Sequence, residues 1–151
     1  MERTLVLIKP DAMVKCLAGN IISDLYNLKL KMIGLKLVNV RRELAEKHYN
    51  KLKQEKGEKI FENVIKYITG EYHNNENVIA IAYRGENAVS EVRKAIGATN
   101  PEKAHPSTIR GKYGRIIAEK NLFETVIHAS DSPESAEKEI ALWFKKNELI
   151  E

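Results

Sequence analysis

Residues 124–144 read ETVIHASDSPESAEKEIALWF and combine a predicted strand with a predicted helix. The strand covers residues 123–127, which are rich in the aromatic and β-branched types that suit a pleated sheet. The helix begins after Ser132, which can accept a hydrogen bond at the N-cap, and Pro133 suits the first helical position. His128 is therefore expected in the short connection, after the strand ends and before the helix begins.

The predicted helix places a carboxylate close to its apolar side. Its inward stripe consists of Ala136, Ile140, Trp143 and Phe144. Glu139 lies on or beside that stripe, where a carboxylate is costly unless a donor satisfies it, and His128 and Ser130 are two donors close in sequence. If Glu139 accepts from one ring nitrogen of His128, the other nitrogen is left unprotonated and nucleophilic. A structural histidine beside a solvated glutamate is the alternative, and the spacing alone leaves both open.

The composition predicts one globular domain covering residues 1–151, because 43% hydrophobic and 30% charged residues are ordinary proportions for a folded chain. The longest apolar runs are far shorter than the roughly 20 residues of a membrane span. No basic and apolar leader precedes them, so we expect the chain to begin at Met1 and to be cytoplasmic. Cys16 is the single cysteine and cannot form an internal disulfide.

The formal net charge of +4 suits anionic ligands, but the Lys and Arg residues are spread along the whole chain. A nucleic-acid partner would favour a basic patch concentrated on one face. Small phosphorylated ligands therefore fit the charge pattern at least as well as nucleic acid does.

Periodicity and turn residues predict the order of elements along the chain. Strands are predicted at 3–8, 32–40, 78–83 and 123–127, and helices at 19–28, 44–52, 60–68, 88–96 and 132–144. This order favours a ferredoxin-like (split βαβ) α+β sandwich, a four-stranded antiparallel sheet with helices on one face. A doubly wound parallel sheet is the alternative, but it requires a Gly-rich first turn that the sequence lacks.

Two further expectations concern the sheet and its connections. The alternation of Ile33, Leu35 and Leu37 predicts that these three side chains share the buried face of a half-buried strand. Residues 97–122 show no clear period and are expected to form a long functional loop.

The sequence lacks the Gly-rich phosphate loops GxxxxGK[ST] and GxGxxG, so bound phosphates would have to be held by side chains. The candidates are Lys9, Arg93, Arg110, Thr99 and Tyr49. Arginine offers a planar fork to phosphate oxygens and lysine a point charge. Each candidate alone can equally be a solvated surface residue, so their significance lies in being found together.

The other histidines, His48, His73 and His105, are interpreted as structural, because their spacing matches no metal-binding pattern. A Ser-His-Asp hydrolase is not favoured either. Ser130 and Asp131 are too close to the histidine in sequence for the usual spatial triad, and no GxSxG elbow occurs.

Four segments carry a resemblance that extends over nearly the whole chain. They are TLVLIKPDA at 4–12, GATNP at 97–101, TIRG at 108–111 and HASDSPESAEKEIALWF at 128–144. In this order they resemble the nucleoside diphosphate kinase family. The resemblance implies a ferredoxin-like fold and a ping-pong reaction, in which a histidine takes the terminal phosphate of a nucleoside triphosphate and passes it to a nucleoside diphosphate.

The resemblance also implies roles for individual residues. His128 would be the phosphorylated nucleophile, Glu139 would orient it, and Ser130 would be hydrogen-bonded to Glu139. Lys9 would act in catalysis as well as in nucleotide binding. The implied nucleotide-binding positions are Lys9, Tyr49, Ile60, Phe61, Arg93, Thr99, Arg110 and Thr125. Mg²⁺ is expected on the nucleotide's phosphates, without protein ligands.

The family resemblance further implies a homo-oligomer, assembled from dimers into a tetramer or hexamer, with Asn100 and Pro101 in the subunit contacts. Thr125 departs from the asparagine that usually contacts the sugar, and a hydroxyl cannot donate as an amide does. Ile60 precedes Phe61 where two phenylalanines are usual, so an aliphatic contact would replace stacking on the base. An apolar wall discriminates poorly between bases, so low base selectivity is expected.

Two other functions stay open at this level. The departures at Thr125 and Ile60 fit a nucleotide-binding regulatory protein that has lost efficient turnover. The basic surface residues fit a secondary nucleic-acid-binding activity, whose affinity would fall steeply with salt. The intact His128, Glu139 and cationic residues favour an active kinase as the leading hypothesis.

Overall fold

The computed structural model describes residues 1–151. The strands are β1 (Glu2–Ile8), β2 (Lys31–Asn39), β3 (Asn77–Gly85), β4 (Arg115–Ile117), β5 (Leu122–Glu124) and β6 (Ile127–Ala129). The α-helices are α1 (Pro10–Val14), α2 (Ala18–Tyr26), α3 (Arg42–His48), α4 (Leu52–Lys56), α5 (Glu58–Ile68), α6 (Ala88–Ile96), α7 (Ile109–Tyr113) and α8 (Pro133–Trp143). No helix has both the length and the apolar character needed to cross a membrane.

Strands β2, β3, β1 and β6 form, in that order, a four-stranded antiparallel sheet. This arrangement confirms the predicted ferredoxin-like α+β sandwich. Strand β6 pairs only with the last part of β1, so that Leu7 lies opposite His128. Because Lys9 directly follows β1, this register brings Lys9 and His128 to the same end of the sheet.

Helices cover both faces of the sheet, because successive side chains of a strand point to opposite sides. Leu5 and Leu7 pack in one core cluster with apolar residues of α5 and α8. Val6 and Ile8 pack in a second cluster with residues of α2 and α6. The prediction of helices on one face is therefore wrong. The unbroken apolar run of β1 is the sequence pattern of a strand that is buried on both sides.

Strand β2 is an edge strand, and its predicted buried face is only partly correct. Ile33 is 1% exposed, whereas Leu35 is 51% and Leu37 is 61% exposed. The pairing with β3 shifts between Met32 and Gly34, which leaves Ile33 as the extra residue of a β-bulge. Such a shift turns the following side chains to the other face, and simple alternation cannot reveal it.

Residues 97–122 were predicted to form a loop, but they contain helix α7 and most of a hairpin. In this hairpin β4 pairs with β5. The strand predicted at 123–127 is also wrong in its bounds. A turn divides it into the end of β5 and the start of β6, so His128 lies inside a sheet strand rather than beyond one. The helix predicted at 44–52 consists of α3 and α4, with Tyr49 between them.

Candidate active site

The corner between β5 and β6 is a strained three-residue turn. The Ile127 N–H donates to the Thr125 carbonyl at 2.6 Å, and Val126 has φ +56°, which is rare for a β-branched residue. Two groups at the end of β1 hold this turn. Asp11 Oδ2 accepts from the Val126 N–H at 3.1 Å, and the Lys9 N–H donates to the Val126 carbonyl at 2.9 Å. The strain is thus fixed by the same segment that carries the Lys9 side chain.

His128 has one ring nitrogen occupied and one free. Its Nε2 lies 3.3 Å from Glu139 Oε2, and the Ser130 hydroxyl donates to the same oxygen at 2.5 Å. The Ser130 oxygen also accepts from the Leu5 N–H at 3.1 Å, which ties the cluster to β1. A carboxylate only accepts, so Nε2 carries the proton and Nδ1 keeps its lone pair. Of the two alternatives that the spacing left open, the structure therefore has the contact between His128 and Glu139.

The charges around this pair favour a neutral imidazole. Burial lowers the pKa of His128, and the nearby Lys9 and Arg110 act in the same direction, while Glu139 opposes them. Burial acts to raise the pKa of Glu139, but the hydrogen bonds from His128 and Ser130 outweigh it and hold that pKa below its ordinary value. An ionised Glu139 thus faces a neutral His128.

Lys9 brings a positive charge that no carboxylate neutralises through an ion pair. Its Nζ donates to Thr125 Oγ1 at 2.9 Å and lies 4.8 Å from the centre of the Tyr67 ring. Burial, helped by Arg110, lowers the pKa of Lys9 to about 8. Thr125 is itself buried, and its N–H donates to the Tyr67 hydroxyl at 3.1 Å. Thr125 therefore positions Lys9.

Arg110 is the second cation and is 7% exposed. Its guanidinium donates to the Gly97 carbonyl at 3.2 Å and to the Ile127 carbonyl at 2.9 Å, so it joins the loop after α6 to strand β6. Burial and then the charge of Arg93 lower the pKa of Arg110 to about 10. Arg93 itself is exposed on α6. The two arginines are close enough to repel, which favours an anion between them.

The end of α3 supplies aromatic walls. The ring of His48 lies 4.5 Å from the ring of His128, edge to face, and the Tyr49 ring lies 6.5 Å from it. Burial, followed by the charge of Glu139, raises the pKa of the Tyr49 phenol, which therefore stays protonated. The contact between His48 and His128 was not predicted, because the two residues are 80 positions apart and no motif connects them.

The remaining candidates, Ile60, Phe61 and Thr99, make no hydrogen bond with His128, Lys9 or Arg110 through their side chains. Ile60 is 48% exposed, whereas Phe61 is 8% exposed and belongs to the core cluster below it. Thr99 is exposed, two residues beyond Gly97, and its side chain makes no hydrogen bond within the chain. Asp11 and Tyr67 were missed by sequence reasoning; the position of Asp11 directly after Lys9-Pro10 was the available signal.

A second buried acid, Glu124, lies next to Thr125 and was also missed. Its carboxylate binds Lys15 at 2.7 Å, Arg115 at 3.0 Å and His73 at 3.0 Å. We call these four residues the Glu124 cluster. It joins α1, the hairpin and the loop before β3.

The antiparallel sandwich holds a neutral histidine with one free ring nitrogen, and the cations around it are not paired with carboxylates. This combination defines a phosphotransfer enzyme. The model of the nucleoside diphosphate kinase family matches residues 2–149. The chain belongs to this family. It transfers the γ-phosphate of a nucleoside triphosphate to a nucleoside diphosphate by a ping-pong mechanism through a phosphohistidine.

Curated relatives cover the whole chain. The nucleoside diphosphate kinase of Pyrococcus furiosus is 49% identical over 151 residues, which are all of this chain and 88% of the relative. The enzyme of Carboxydothermus hydrogenoformans is 44% identical over 150 residues, which are 99% of this chain and 92% of the relative.

Solved structures agree with the fold. The nucleoside-diphosphate kinase of Borrelia burgdorferi, a transition state mimic with bound vanadate and ADP, has a TM-score of 0.90 and 32% identity, with 99% of this chain and 90% of that chain covered. The enzyme of Halobacterium salinarum in complex with CDP has a TM-score of 0.86 and 36% identity, with 99% and 91% covered.

Proposed function

We propose that Nδ1 of His128 is the atom that takes the phosphoryl group. The observation that carries this proposal is the hydrogen bond of Nε2 to Glu139, which leaves the Nδ1 lone pair free. Nδ1 attacks the γ-phosphorus, the bond from that phosphorus to the β–γ bridging oxygen breaks, and the nucleoside diphosphate leaves with the electron pair. The imidazole becomes cationic, and Glu139 stabilises it through the Nε2 proton. The second half-reaction reverses these steps with another diphosphate.

We assign the surrounding cations to the charge that spreads over the transferring group. Lys9, which is half-buried, and Arg110, which is buried, lie beside His128, and Arg93 completes the set from α6. Thr99 and the Tyr49 hydroxyl are assigned as neutral donors to the phosphates. These roles are supported by the vanadate and ADP bound to the Borrelia enzyme, which mimic the transition state there.

Mg²⁺ is proposed to enter with the nucleotide, as part of the substrate. One oxygen of each nearby carboxylate is already in use, since Glu139 Oε2 accepts from His128 and Ser130 and Asp11 Oδ2 accepts from the Val126 N–H. Mg²⁺ in kinase sites is bound largely through substrate phosphates, so phosphate oxygens are its proposed ligands. Omitting Mg²⁺ is expected to abolish turnover, and readdition should restore it.

The sugar and base are proposed to contact the protein weakly. Thr125 replaces the sugar-contacting amide, and its hydroxyl is already used by Lys9. The exposed Ile60 offers an aliphatic wall to the base, with Phe61 buried beneath it. Low base selectivity follows, so kcat/KM for ATP, GTP, CTP and UTP should agree within about tenfold.

The deciding experiment is labelling with γ-³²P-ATP and Mg²⁺, followed by a chase with GDP. The protein should take up acid-labile, alkali-stable label and release it as GTP, and His128→Asn should take up none. His105→Asn is the matched control, because His105 is an exposed histidine outside the site and should label normally. Label that persists in His128→Asn would overturn the assignment.

We further propose that the protein assembles as a homo-oligomer from dimers that form through the edge of β2. Leu35 and Leu37 project from this edge and are more than half exposed, and unpaired apolar edges are normally covered. Replacing both Leu35 and Leu37 by glutamate should give a monomer in analytical ultracentrifugation. An unchanged sedimentation coefficient would rule out this edge. Sedimentation of the unaltered protein distinguishes a tetramer from a hexamer, and the same experiment on Asn100→Ala tests the contact expected at Asn100 and Pro101.

Residues 1–151 are proposed to act as one cytoplasmic domain. Both core clusters share β1, so neither can be removed without exposing the other. Cys16 is a free and exposed thiol, which is typical of a reducing compartment. Cell fractionation with a cytoplasmic marker tests the location, and a single cooperative urea transition tests the domain.

A further inference from the structure

We infer that His48 is a positioning residue for the proposed phosphoryl acceptor His128, and that α8 fixes the two imidazoles together through Glu139 and Trp143. This inference rests on the proposed function, in which Nδ1 of His128 is the reacting atom.

Helix α8 carries two side chains one turn apart that constrain the two histidines. Glu139 can only accept hydrogen bonds, and the Trp143 indole can only donate. Glu139 holds Nε2 of His128 at 3.3 Å, and the Trp143 Nε1–H donates to Nδ1 of His48 at 3.0 Å. Residues four apart lie on the same face of a helix, so one rigid element sets both contacts.

The hydrogen bonds select the same tautomer in both rings, with the proton on Nε2. They differ at Nδ1, which accepts a hydrogen bond in His48 and none in His128. Trp143 occupies the Nδ1 lone pair of His48, so the proton of His48 lies on Nε2. His128 also carries its proton on Nε2, but its Nδ1 accepts no hydrogen bond within the chain. His48 is therefore held as an inert ring, and His128 keeps the reactive lone pair.

The contact between the rings restricts the motion of His128. The ring centres are 4.5 Å apart with an interplanar angle of 80°, and the His48 ring lies 5.6 Å from the Trp143 ring, also edge to face. Trp143 is 3% exposed, so this stack is anchored in the core. A rotation of the His128 ring away from its present orientation would therefore be opposed by contact with the His48 ring.

The electrical state of His48 suits this role. Burial, and then the proximity of His128, lower the pKa of His48 to about 3, with Lys9 acting in the same direction. His48 is therefore neutral at working pH. His48 therefore adds no positive charge to that of Lys9 and Arg110 when the imidazolium forms at His128, and Glu139 supplies the balancing negative charge.

The test uses His48→Gln, which keeps an acceptor for Trp143 but removes the ring edge. Leu44→Ala is the matched control, because Leu44 lies on the same helix and packs against the same core without contacting His128. We expect His48→Gln to slow single-turnover phosphorylation about 10²-fold, with little change in the Kd for ADP, whereas Leu44→Ala affects stability only. Imidazole ¹⁵N spectra should show one tautomer of His128 in the unaltered protein and a mixture in His48→Gln.

The possible outcomes distinguish the positioning role of His48 from the proposed role of His128 as the nucleophile. Equal phosphorylation rates and identical His128 spectra in His48→Gln and Leu44→Ala would overturn the positioning role, even if His128 is the labelled residue. Label that survives His128→Asn would overturn the nucleophile instead, and the ¹⁵N spectra would still report whether His48 fixes the ring. Trp143→Phe removes the donor to His48 together with part of the ring, so a partial loss of the single tautomer in that variant, absent from the packing control Leu44→Ala, would support the coupling through α8.

Discussion

Two glutamates in the C-terminal half each accept a hydrogen bond from a histidine, yet their surroundings differ. Glu139 binds His128 at 3.3 Å and otherwise accepts only from a hydroxyl. Glu124, 1% exposed, binds His73 at 3.0 Å and two cations besides. In the Glu124 cluster the positive charges are paired with the Glu124 carboxylate. At His128 the cations Lys9 and Arg110 are left without an acid, and they can act on a phosphate.

A histidine–glutamate pair therefore does not by itself define a catalytic site. The cations nearby decide its role. A pair whose carboxylate is surrounded by cations stabilises the fold, and a pair beside unpaired cations is available for chemistry with an anion.

The largest expected difference is in turnover after loss of each histidine. His128→Ala should lower kcat at least about 10⁴-fold, because the attacking nitrogen is removed. His73→Ala should leave kcat within about threefold, since it only removes one partner of Glu124. A coupled assay of nucleoside triphosphate formation measures both. Comparable losses in the two variants would erase the distinction between the pairs.

Neutralising the two acids should separate activity from stability. Glu139→Gln removes a charged acceptor, and kcat should fall about 10–100-fold with the fold retained. Glu124→Gln leaves the partly exposed Lys15 and Arg115 without their anion, and the free energy of unfolding should fall by about 1–3 kcal/mol. Urea melts and kcat per folded molecule provide the two readouts. A stability loss confined to Glu139→Gln would reverse the assignment.

A third difference is expected in acid. The cationic and His73 hydrogen bonds overcome burial and lower the pKa of Glu124 from 4.5 to about 2. The stability that this carboxylate contributes is complete above about pH 4.5 and is lost as the pH falls toward 2. Urea melts between these pH values should therefore show a steeper loss in the unaltered protein than in Glu124→Gln. If the free energy of unfolding fell in parallel with pH in both proteins, Glu124 would be excluded as the source of the acid sensitivity.

The smallest effect is expected in the pH profile of phosphorylation. Burial lowers the pKa of His128 below its ordinary value of 6.5, so the neutral ring persists in mild acid. The single-turnover rate should therefore begin to fall only below pH 6.5. Glu139 opposes this shift, so Glu139→Gln should move the midpoint to still lower pH. A midpoint that rises in that variant would contradict the proposed charge balance.

The sequence allowed the ferredoxin-like fold and the contacts of Glu139 with His128 and Ser130 to be predicted, because both depend on local patterns. The helix-capping residues and the apolar stripe of α8 lie within one short segment. Lys9 was also expected at this site, because the family resemblance assigned it to catalysis and nucleotide binding.

The missed features depend on contacts between distant residues. The bulge at Ile33 changes which side of β2 faces outward, and only the pairing with β3 reveals it. The hairpin from 115 to 124 has strands of three residues, too short for a periodic signal. The Glu124 cluster draws its members from three separate segments, and the contact of His48 with His128 joins residues that no motif connects.

The turn at Val126 has a consequence for protein design. Local backbone preference at position 126 favours glycine or asparagine, since a left-handed conformation costs other residues roughly 1–2 kcal/mol. Core packing favours valine, which is fully buried there and gains roughly 1.5–3 kcal/mol from burial. A design procedure guided by backbone geometry would replace Val126. The redesigned chain would keep the backbone hydrogen bonds that tie this turn to Lys9 and Asp11, but it would lose the apolar contact that packs the start of the His128 strand into the core.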